Sequence, residues 1–151
     1  MSTNKPQPLA VITGGASGIG LGAVKRFLKE GYEVLSIDAN KEAGDKSIND
    51  LKSDTYKLNF THCDITNHSQ IESIFNALLE EKRPAQVLIN CAGISPALNP
   101  LHEYSVDEWL RTIDINLHGT FYACREFLKL ATAVNIDCLL YTSPSPRDSA
   151  L

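Results

Sequence analysis

The sequence lacks the features of membrane, secreted and nucleic-acid-binding proteins. Its 151 residues contain no apolar run long enough to cross a bilayer. The N-terminal segment MSTNKPQPLA has no apolar stretch typical of a secretory signal. The net charge of −4 gives no electrostatic basis for binding nucleic acid or an anionic membrane. We therefore expect a cytoplasmic protein with no nucleic-acid partner and no membrane partner.

Metal-binding patterns are missing as well. The four cysteines form no Cys-x-x-Cys pair, and the four histidines form no His-Glu-x-x-His motif. Cys63, Cys91, Cys124 and Cys138 are therefore interpreted as scattered reduced thiols, which are typical of a cytosolic protein. No metal site is predicted.

What the sequence does contain is a regular alternation of short apolar runs and amphipathic segments. The spacing predicts strands at 9–13, 33–37, 56–63 and 86–90, and helices at 18–30, 41–52, 69–82, after Ser105 and at about 120–132. Nearly continuous apolar strands alternating with helices indicate an α/β fold whose parallel sheet is covered on both faces. Right-handed crossovers predict a Rossmann-type, doubly wound sheet with strand order 3-2-1-4.

Glycines cluster in TGGASGIG, residues 13–20, between the first predicted strand and the first predicted helix. This placement lets the backbone approach a pyrophosphate, and the helix N-terminus offers free N–H groups and a positive dipole end to that anion. Glycines also form plain turns, so the context of strand and helix carries the interpretation. The glycines are not followed by the Gly-Lys-Ser/Thr of nucleoside-triphosphate loops.

Asp38 ends the second predicted strand and is the acidic residue expected beside a bound ribose. Its carboxylate can accept hydrogen bonds from ribose hydroxyls and would repel a 2′-phosphate. Ala16, Ser17, Ala39 and Asn40 include no Arg or Lys that could neutralise such a phosphate. NAD is therefore favoured over NADP. Alternatively, Asp38 starts a turn or caps the next helix; together with the glycine turn, the cofactor role is favoured.

Four short motifs together resemble the short-chain dehydrogenase/reductase family. They are TGGASGIG with its G-x-x-x-G-x-G spacing, CDIT at 63–66, NCAG at 90–93 and DIN at 114–116. They occur in the family's order and at its spacing across roughly residues 8 to 133. Cys91 departs from the pattern, because the family has Asn at this position.

The resemblance implies hydride transfer between NAD and an alcohol or carbonyl carbon of a small molecule. Asn116 matches the family's catalytic Asn, which orders a proton-relay water. The residues that the resemblance assigns to cofactor binding are Thr13, Gly14, Ser17, Gly18, Ile19, Gly20, Asp38, Asp64, Ile65, Asn90, Ala92 and Gly93. Two of them have simpler alternatives, since Asp64 could cap the following loop and Asn90 could close the end of its strand.

The family's remaining catalytic residues have no counterpart in this sequence. None of the five tyrosines is followed four residues later by the lysine that lowers the pKa of the catalytic phenol. Ser143 and Ser145 lie near the expected position of the catalytic Ser, but Pro144 and Pro146 are incompatible with a central strand. We therefore expect the 151 residues to be catalytically incomplete, with Asn116 as the single family residue retained.

The segment CLLYTSPSPRD, Cys138 to Asp148, does not resemble the expected active-site strand. It matches one translated frame of a transposase adapter used in DNA-sequencing libraries. We interpret residues 1–137 as an incomplete NAD-binding domain and residues 138–151 as an adapter-derived tail, with a natural Ser/Pro-rich tail as the alternative. On this interpretation the fourth strand forms an exposed, apolar edge of the sheet.

Two functions follow as hypotheses. The chain is a fragment of an NAD-dependent oxidoreductase, or it is a non-catalytic NAD-binding sensor or regulatory module. A downstream Ser and Tyr-x-x-x-Lys in the parent reading frame would favour the enzyme, and a genuine stop codon near residue 138 would favour the module. The resemblance also implies that the parent forms a homo-oligomer through helices that include the one near residues 120 to 132.

Overall fold

The computed structural model describes residues 7–51, 53–95 and 99–142. The strands are β1 Leu9–Thr13, β2 Glu33–Asp38, β3 Leu58–His62, β4 Ala85–Asn90 and β5 Leu139–Thr142. The helices are α1 Gly18–Lys29, α2 Lys41–Asp50, α3 His68–Glu80, α4 Val106–Ile113 and α5 Thr120–Val134, with a 3₁₀ turn at Leu101–Glu103 and a π-helical segment at Asp114–Gly119. No helix in the described part of the chain is long and apolar enough to span a membrane.

The strands form one parallel sheet in the order β3-β2-β1-β4-β5. This confirms the predicted doubly wound, Rossmann-type fold and its strand order 3-2-1-4. Every residue of the central strand β1 is buried, because helices cover the sheet on both sides. Alternate β1 side chains point to opposite faces, so Val11 belongs to one apolar cluster and Ile12 to the other.

Strand β5 was not predicted, and the expectation that β4 forms an exposed edge was wrong. Leu140 pairs with Leu88 and Thr142 with Asn90, so β5 satisfies the free backbone groups of β4. The run LLYT is rich in side chains that suit a strand and ends before the first proline of the tail. The exposed edge is now β5, where 58% of Leu139 is accessible to solvent. The adapter interpretation of residues 138–151 stays a prediction.

Helices α3 and α5 pack together on one face of the sheet through an aromatic and aliphatic contact. Ile71 and Phe75 of α3 lie in the same buried cluster as Phe127 of α5, and the two Phe rings meet edge to face at 6.4 Å between centroids. This packing fixes α5 against the sheet, and the π-helical segment joins α5 to α4. The position of α4 beside the carboxyl ends of the strands therefore depends on this core.

A buried carboxylate lies at the same helix contact. Glu126 of α5 is only 2% exposed, and its oxygens receive Lys129 Nζ at 2.8 Å and His68 Nε2 at 3.0 Å. The guanidinium of Arg125 also contacts this carboxylate. Burial acts to raise the pKa of Glu126, but the hydrogen bonds from Lys129 and His68, with the nearby charges of Lys129 and Arg125, together lower it below its ordinary value.

Candidate cofactor-binding site

A cavity of about 740 Å³ opens at the carboxyl ends of β1 to β4. Parallel strands all end at the same edge of a sheet, so the loops that follow them converge there. The cavity spans the point where β1 neighbours both β2 and β4, from which the chain runs outward in opposite directions. Its walls come from the glycine turn, from the ends of β2, β3 and β4, and from α4. This is the position at which open α/β sheets bind their ligands.

The glycine turn fits against its neighbours through backbone contacts that exclude any side chain. Gly14 has a φ of +67°, and a Cβ at this position would lie 2.6 Å from the backbone nitrogen of Ala92. A Cβ on Gly20 would lie 2.0 Å from the carbonyl oxygen of Gly14. Glycine is required at both positions, because any other residue would push the turn away from α1 or from the end of β4. The turn thus presents bare backbone to the cavity.

The N-terminus of α1 opens into the same cavity. Ser17 is the N-cap, but its side chain makes no capping hydrogen bond, so the first N–H groups of this helix of 12 residues lack the usual side-chain partner. Ser17, Gly18 and Ile19 are exposed and line the cavity, and Ile19 is 84% accessible to solvent. Free N–H groups beside an exposed apolar side chain suit the pyrophosphate and the adjoining apolar parts of a dinucleotide.

Asp38 is held at the end of β2 with its carboxylate against the glycine turn. Its Oδ2 accepts a hydrogen bond from the Ala16 N–H at 3.0 Å, and its Oδ1 accepts one from the Asn40 N–H at 2.9 Å. Asp38 therefore does form a turn, but Asn40 is the residue that caps α2, through the Ala43 N–H at 3.0 Å. A carboxylate has about four acceptor sites, so Asp38 can still accept hydrogen bonds from ribose hydroxyls.

Asp64 follows β3 and combines a local role with a place in the cavity wall. Its Oδ1 accepts hydrogen bonds from the Thr66 N–H at 2.9 Å and the Thr66 hydroxyl at 2.8 Å, so it does cap the following loop.

The cysteine before Asp64, Cys63, is buried, and burial together with the charge of Asp64 raises the pKa of this thiol to about 11. Burial also raises the pKa of Cys91. Both thiols stay protonated at neutral pH and are poor nucleophiles.

Asn116 lies in the π-helical segment and clamps the chain after β4. Its Oδ1 accepts a hydrogen bond from the Ile94 N–H at 2.8 Å, and its Nδ2 donates one to the Ile94 carbonyl at 2.9 Å. A Cβ on Gly93 would lie 3.1 Å from the same Oδ1. Single π turns inside helices are often found at functional sites, and this one holds the Asn116 amide against the segment after β4.

Replacing Asn116 with alanine is expected to loosen the segment after β4. Loss of the two amide hydrogen bonds should lower the free energy of unfolding by about 1–2 kcal/mol and speed hydrogen exchange of the Ile94 amide. Urea unfolding and exchange measured by mass spectrometry check both effects. The matched control is Asn76→Ala, an exposed asparagine of α3 away from the cavity. Unchanged exchange at Ile94 in Asn116→Ala would contradict the clamp.

The structure brings most of the predicted cofactor-binding residues to the cavity, but Thr13, Asn90 and Asn116 are not among the residues that line it. The predicted residues that line it are Gly14, Ser17, Gly18, Ile19, Gly20, Asp38, Asp64, Ile65, Ala92 and Gly93. Thr13 is buried and its Oγ1 accepts the Ala92 N–H at 3.3 Å. Asn90 is buried and donates to the Tyr141 carbonyl at 3.4 Å. Thr13, Asn90 and Asn116 thus support the wall, and their parts in cofactor binding and catalysis stay predictions.

One wall of the cavity was missed from the sequence. It is formed by α4 and the start of the π-helical segment, through Asp107, Leu110, Arg111, Asp114 and Ile115. The spacing of 107, 111 and 115 places three of these on one helical face, which is the signal that could have found them. Of the described residues that line the cavity, Arg111 alone carries a positive charge, against four aspartates.

Comparisons with known proteins give consistent matches over most of the sequence. A sequence model of the short chain dehydrogenase family matches residues 8–135. A 3beta-hydroxysteroid dehydrogenase of Mediterraneibacter gnavus is 32% identical over 124 residues, which make up 82% of this chain and 45% of that protein. A cyclopentanol dehydrogenase of Comamonas testosteroni is 29% identical over 135 residues, covering 89% of this chain and 54% of that protein. The chain thus spans about half the length of these curated relatives.

Solved structures match over a similar range. The crystal structure of a short chain dehydrogenase from Leptospira borgpetersenii with bound NAD+ superposes with a TM-score of 0.79 and 28% identity, covering 90% of this chain and 50% of that one. An actinorhodin polyketide ketoreductase with NADPH gives a TM-score of 0.80 and 27% identity, covering 88% of this chain and 51% of that one. The matched structures contain NAD+ in one case and NADPH in the other.

Proposed function

The chain belongs to the short-chain dehydrogenase family, and from this premise we propose that it forms the cofactor-binding part of an NAD-dependent oxidoreductase. The whole protein would interconvert an alcohol and a carbonyl of a small molecule. Nicotinamide, when bound, supplies the hydride chemistry, and the protein binds and orients it. The observation that carries the proposal is the union of an uncapped helix N-terminus, a backbone-only turn and an ordered carboxylate in one cavity.

Each part of this cavity suits one part of a dinucleotide. The N–H groups at the start of α1 would hold the pyrophosphate, which needs donors and a positive field. The carboxylate of Asp38 would accept hydrogen bonds from the ribose hydroxyls. Asp64 and Ile65 would contact the adenine, as the family resemblance implies. Asn116 would keep the segment after β4 in the position that completes the cavity.

The preference for NAD over NADP follows from the surroundings of Asp38. A 2′-phosphate would meet this carboxylate at close range, and like charges repel strongly where water is partly excluded. The residues around it, Ala16, Ala39 and Asn40, offer backbone N–H groups but no cation. Arg111, the positive residue of the described cavity wall, belongs to α4 rather than to the end of β2.

Titration of the purified chain of 151 residues with NADH and NADPH tests this proposal. We expect NADH to bind at least about tenfold more tightly than NADPH, because a charge-assisted hydrogen bond contributes about 1.5–3 kcal/mol. Asp38→Ala should weaken NADH binding by about tenfold or more and remove most of the preference. Asp54→Ala, an exposed aspartate outside the cavity, should change neither affinity. Equal affinity of the unmodified chain for the two cofactors would contradict the proposal.

We further propose that these 151 residues bind the cofactor without turning over substrate. The sequence holds no Tyr-x-x-x-Lys pair. Burial raises the pKa of Cys63 and Cys91, so these two thiols of the cavity wall stay protonated near neutral pH. Binding of NADH with no change in its absorbance in the presence of alcohols or ketones is the expected behaviour.

The family match ends at residue 135, which supports the proposal that sequence of the family ends near residue 137. Helix α5 is proposed as the surface through which the whole protein self-associates, because its exposed Phe121 and Leu128 border an apolar groove.

The four free cysteines support a reducing, cytoplasmic location.

A further inference from the structure

Arg111 stands out because the function proposed so far gives it no part. It lies in α4 and lines the cofactor cavity together with Asp64, Ile65 and Ile115. It is also exposed, so its guanidinium is not buried as structural support for the helix. The surrounding wall carries four aspartates, and nothing in the NAD scheme above requires a cation at this place.

The guanidinium of Arg111 has no carboxylate partner among the described residues. Three other arginines in the described part of the chain form ion pairs: Arg26, Arg83 and Arg125. No carboxylate oxygen of a described residue lies within 4.0 Å of the guanidinium nitrogens of Arg111. The nearest candidates along the helix are Asp107 and Asp114, four residues before it and three after. Asp114 instead contacts His118 Nδ1 at 2.9 Å.

Glu108, three residues before Arg111 in α4, also has another partner. Its carboxylate accepts hydrogen bonds from the backbone N–H and the hydroxyl of Ser105 in a capping box. An arginine that stays unpaired amid several acidic residues keeps its five N–H donors and its planar face available for a ligand. The donors of Arg111 are therefore free at the wall of the cavity.

Arg111 lies on the part of the helix that faces the cavity. Gly119 touches Ile65, since a Cβ on this glycine would lie 2.5 Å from Ile65 Cδ1. Ile115 lies one helical turn before Gly119, and Arg111 lies one turn before Ile115. Arg111 therefore shares with Ile115 and Ile65 the cavity wall that this helix helps to form.

From this geometry we infer that Arg111 recognises the adenine base of the bound dinucleotide, with its guanidinium against the ring. The inference rests on the proposed binding of NAD. Ile65 and Ile115 give the cavity wall apolar surface against which a planar aromatic base would pack. A guanidinium stacks on aromatic faces and donates to ring nitrogens. Arg111 is then a residue that selects the adenosine half of the cofactor, while the helix N-terminus of α1 holds the pyrophosphate.

Calorimetric titration of the 151-residue chain with three ligands tests the inference. NADH and ADP-ribose contain adenosine, and reduced nicotinamide mononucleotide lacks it. Arg111→Ala should weaken NADH and ADP-ribose by between about twofold and thirtyfold, the range expected from cation–π contacts, and leave the mononucleotide unchanged. Arg111→Lys should restore only part of the affinity, because an ammonium group does not stack. Arg26→Ala, an exposed arginine of α1 paired with Glu30, should bind all three ligands like the unmodified chain.

The outcomes separate this inference from the proposed function. If the unmodified chain binds NADH and Arg111→Ala binds it equally well, Arg111 has no part in recognition and the NAD proposal stands. If Arg111→Ala weakens the mononucleotide as much as NADH, Arg111 acts away from the adenine and the inference is overturned. If the unmodified chain binds neither NADH nor ADP-ribose, the proposed function fails, and the inference that rests on it fails too.

Arg111 also borders a smaller cavity with Ser95 and Thr112. Tighter binding of inorganic phosphate than of ADP-ribose would favour an anion site in this smaller cavity and would overturn the adenine assignment.

Discussion

Gly20→Ala is expected to abolish dinucleotide binding and to lower the free energy of unfolding by about 2–4 kcal/mol, a loss typical of overpacking at a buried position. The new Cβ would lie 2.0 Å from the carbonyl oxygen of Gly14, which is backbone and cannot swing aside as a side chain would. Either α1 moves away from the turn or the turn moves away from β4. Both displace the N–H groups that the pyrophosphate needs.

Gly22→Ala provides the matched control within the same helix. A Cβ at Gly22 has no neighbouring atom within 4 Å, and the residue is exposed. Alanine loses less backbone entropy on folding than glycine, so this variant should be more stable than the unmodified chain by about 0.5–1 kcal/mol and bind NADH normally. Urea unfolding and NADH titration of both variants decide the matter. Normal binding by Gly20→Ala would show that the cavity tolerates a displaced turn and would remove the main support for the cofactor site.

The parts of the fold that could be predicted are those whose signals are local. Strands β1, β2 and β4 are largely buried because helices cover both faces, and the parallel order follows from the handedness of the crossovers. The fifth strand was missed because residues 138–151 were interpreted as an adapter-derived tail and because Pro144 and Pro146 counted against a strand. Strand β5 ends at Thr142, before either proline. Proline restricts the residues next to it more than residues further back, so the short run LLYT was free to pair with β4.

The residues of the candidate site also differ in whether the sequence alone reveals them. The glycine turn and Asp38 are visible in the sequence because their chemistry depends on residue type at a fixed distance from a strand. The wall formed by α4 is not visible in the sequence, because the direction of α4 depends on the π-helical segment Asp114–Gly119. One wider turn in this segment rotates the residues of α4 relative to those of α5. Motifs also specify chain position but not side-chain direction. Thr13 and Asn90 occupy motif positions, but they are not among the residues that line the cavity.

The burial of Glu126 could not be predicted from the sequence either, since a glutamate in an amphipathic helix is usually solvated. It is buried because α3 supplies His68 and Glu72 at the same contact that Phe75 and Phe127 fill with apolar surface. His68, Glu72 and Glu126 offer possible metal ligands within 4.8 Å of one another. Lys129 and Arg125 already neutralise Glu126, so this cluster is suited to holding two helices together rather than to binding a cation.

Glu126→Gln is therefore expected to lower the free energy of unfolding by about 1–3 kcal/mol at pH 7, because it leaves the charges of Lys129 and Arg125 unopposed at a buried contact. Those cations are partly exposed, which keeps the loss below that of a fully buried pair. Glu72→Gln is the matched control: its carboxylate is only 3.5 Å from Lys129 Nζ but is 43% exposed, and the change should cost less than about 1 kcal/mol.

The dependence on pH distinguishes lost charge from lost packing. The pKa of Glu126 is lower in the folded protein than its ordinary value of 4.5, so its charge stabilises the fold fully above pH 4.5. This contribution is lost as the pH falls through the lowered, folded-state pKa and the carboxylate is protonated. The difference in unfolding free energy between the unmodified chain and Glu126→Gln should thus be present at pH 5 and should shrink as the pH falls below 4.5. Urea unfolding of both proteins across this range measures it. A difference that persists undiminished well below pH 4.5 would mean that Glu126 stabilises the contact between α3 and α5 by packing alone, and that its charge contributes nothing.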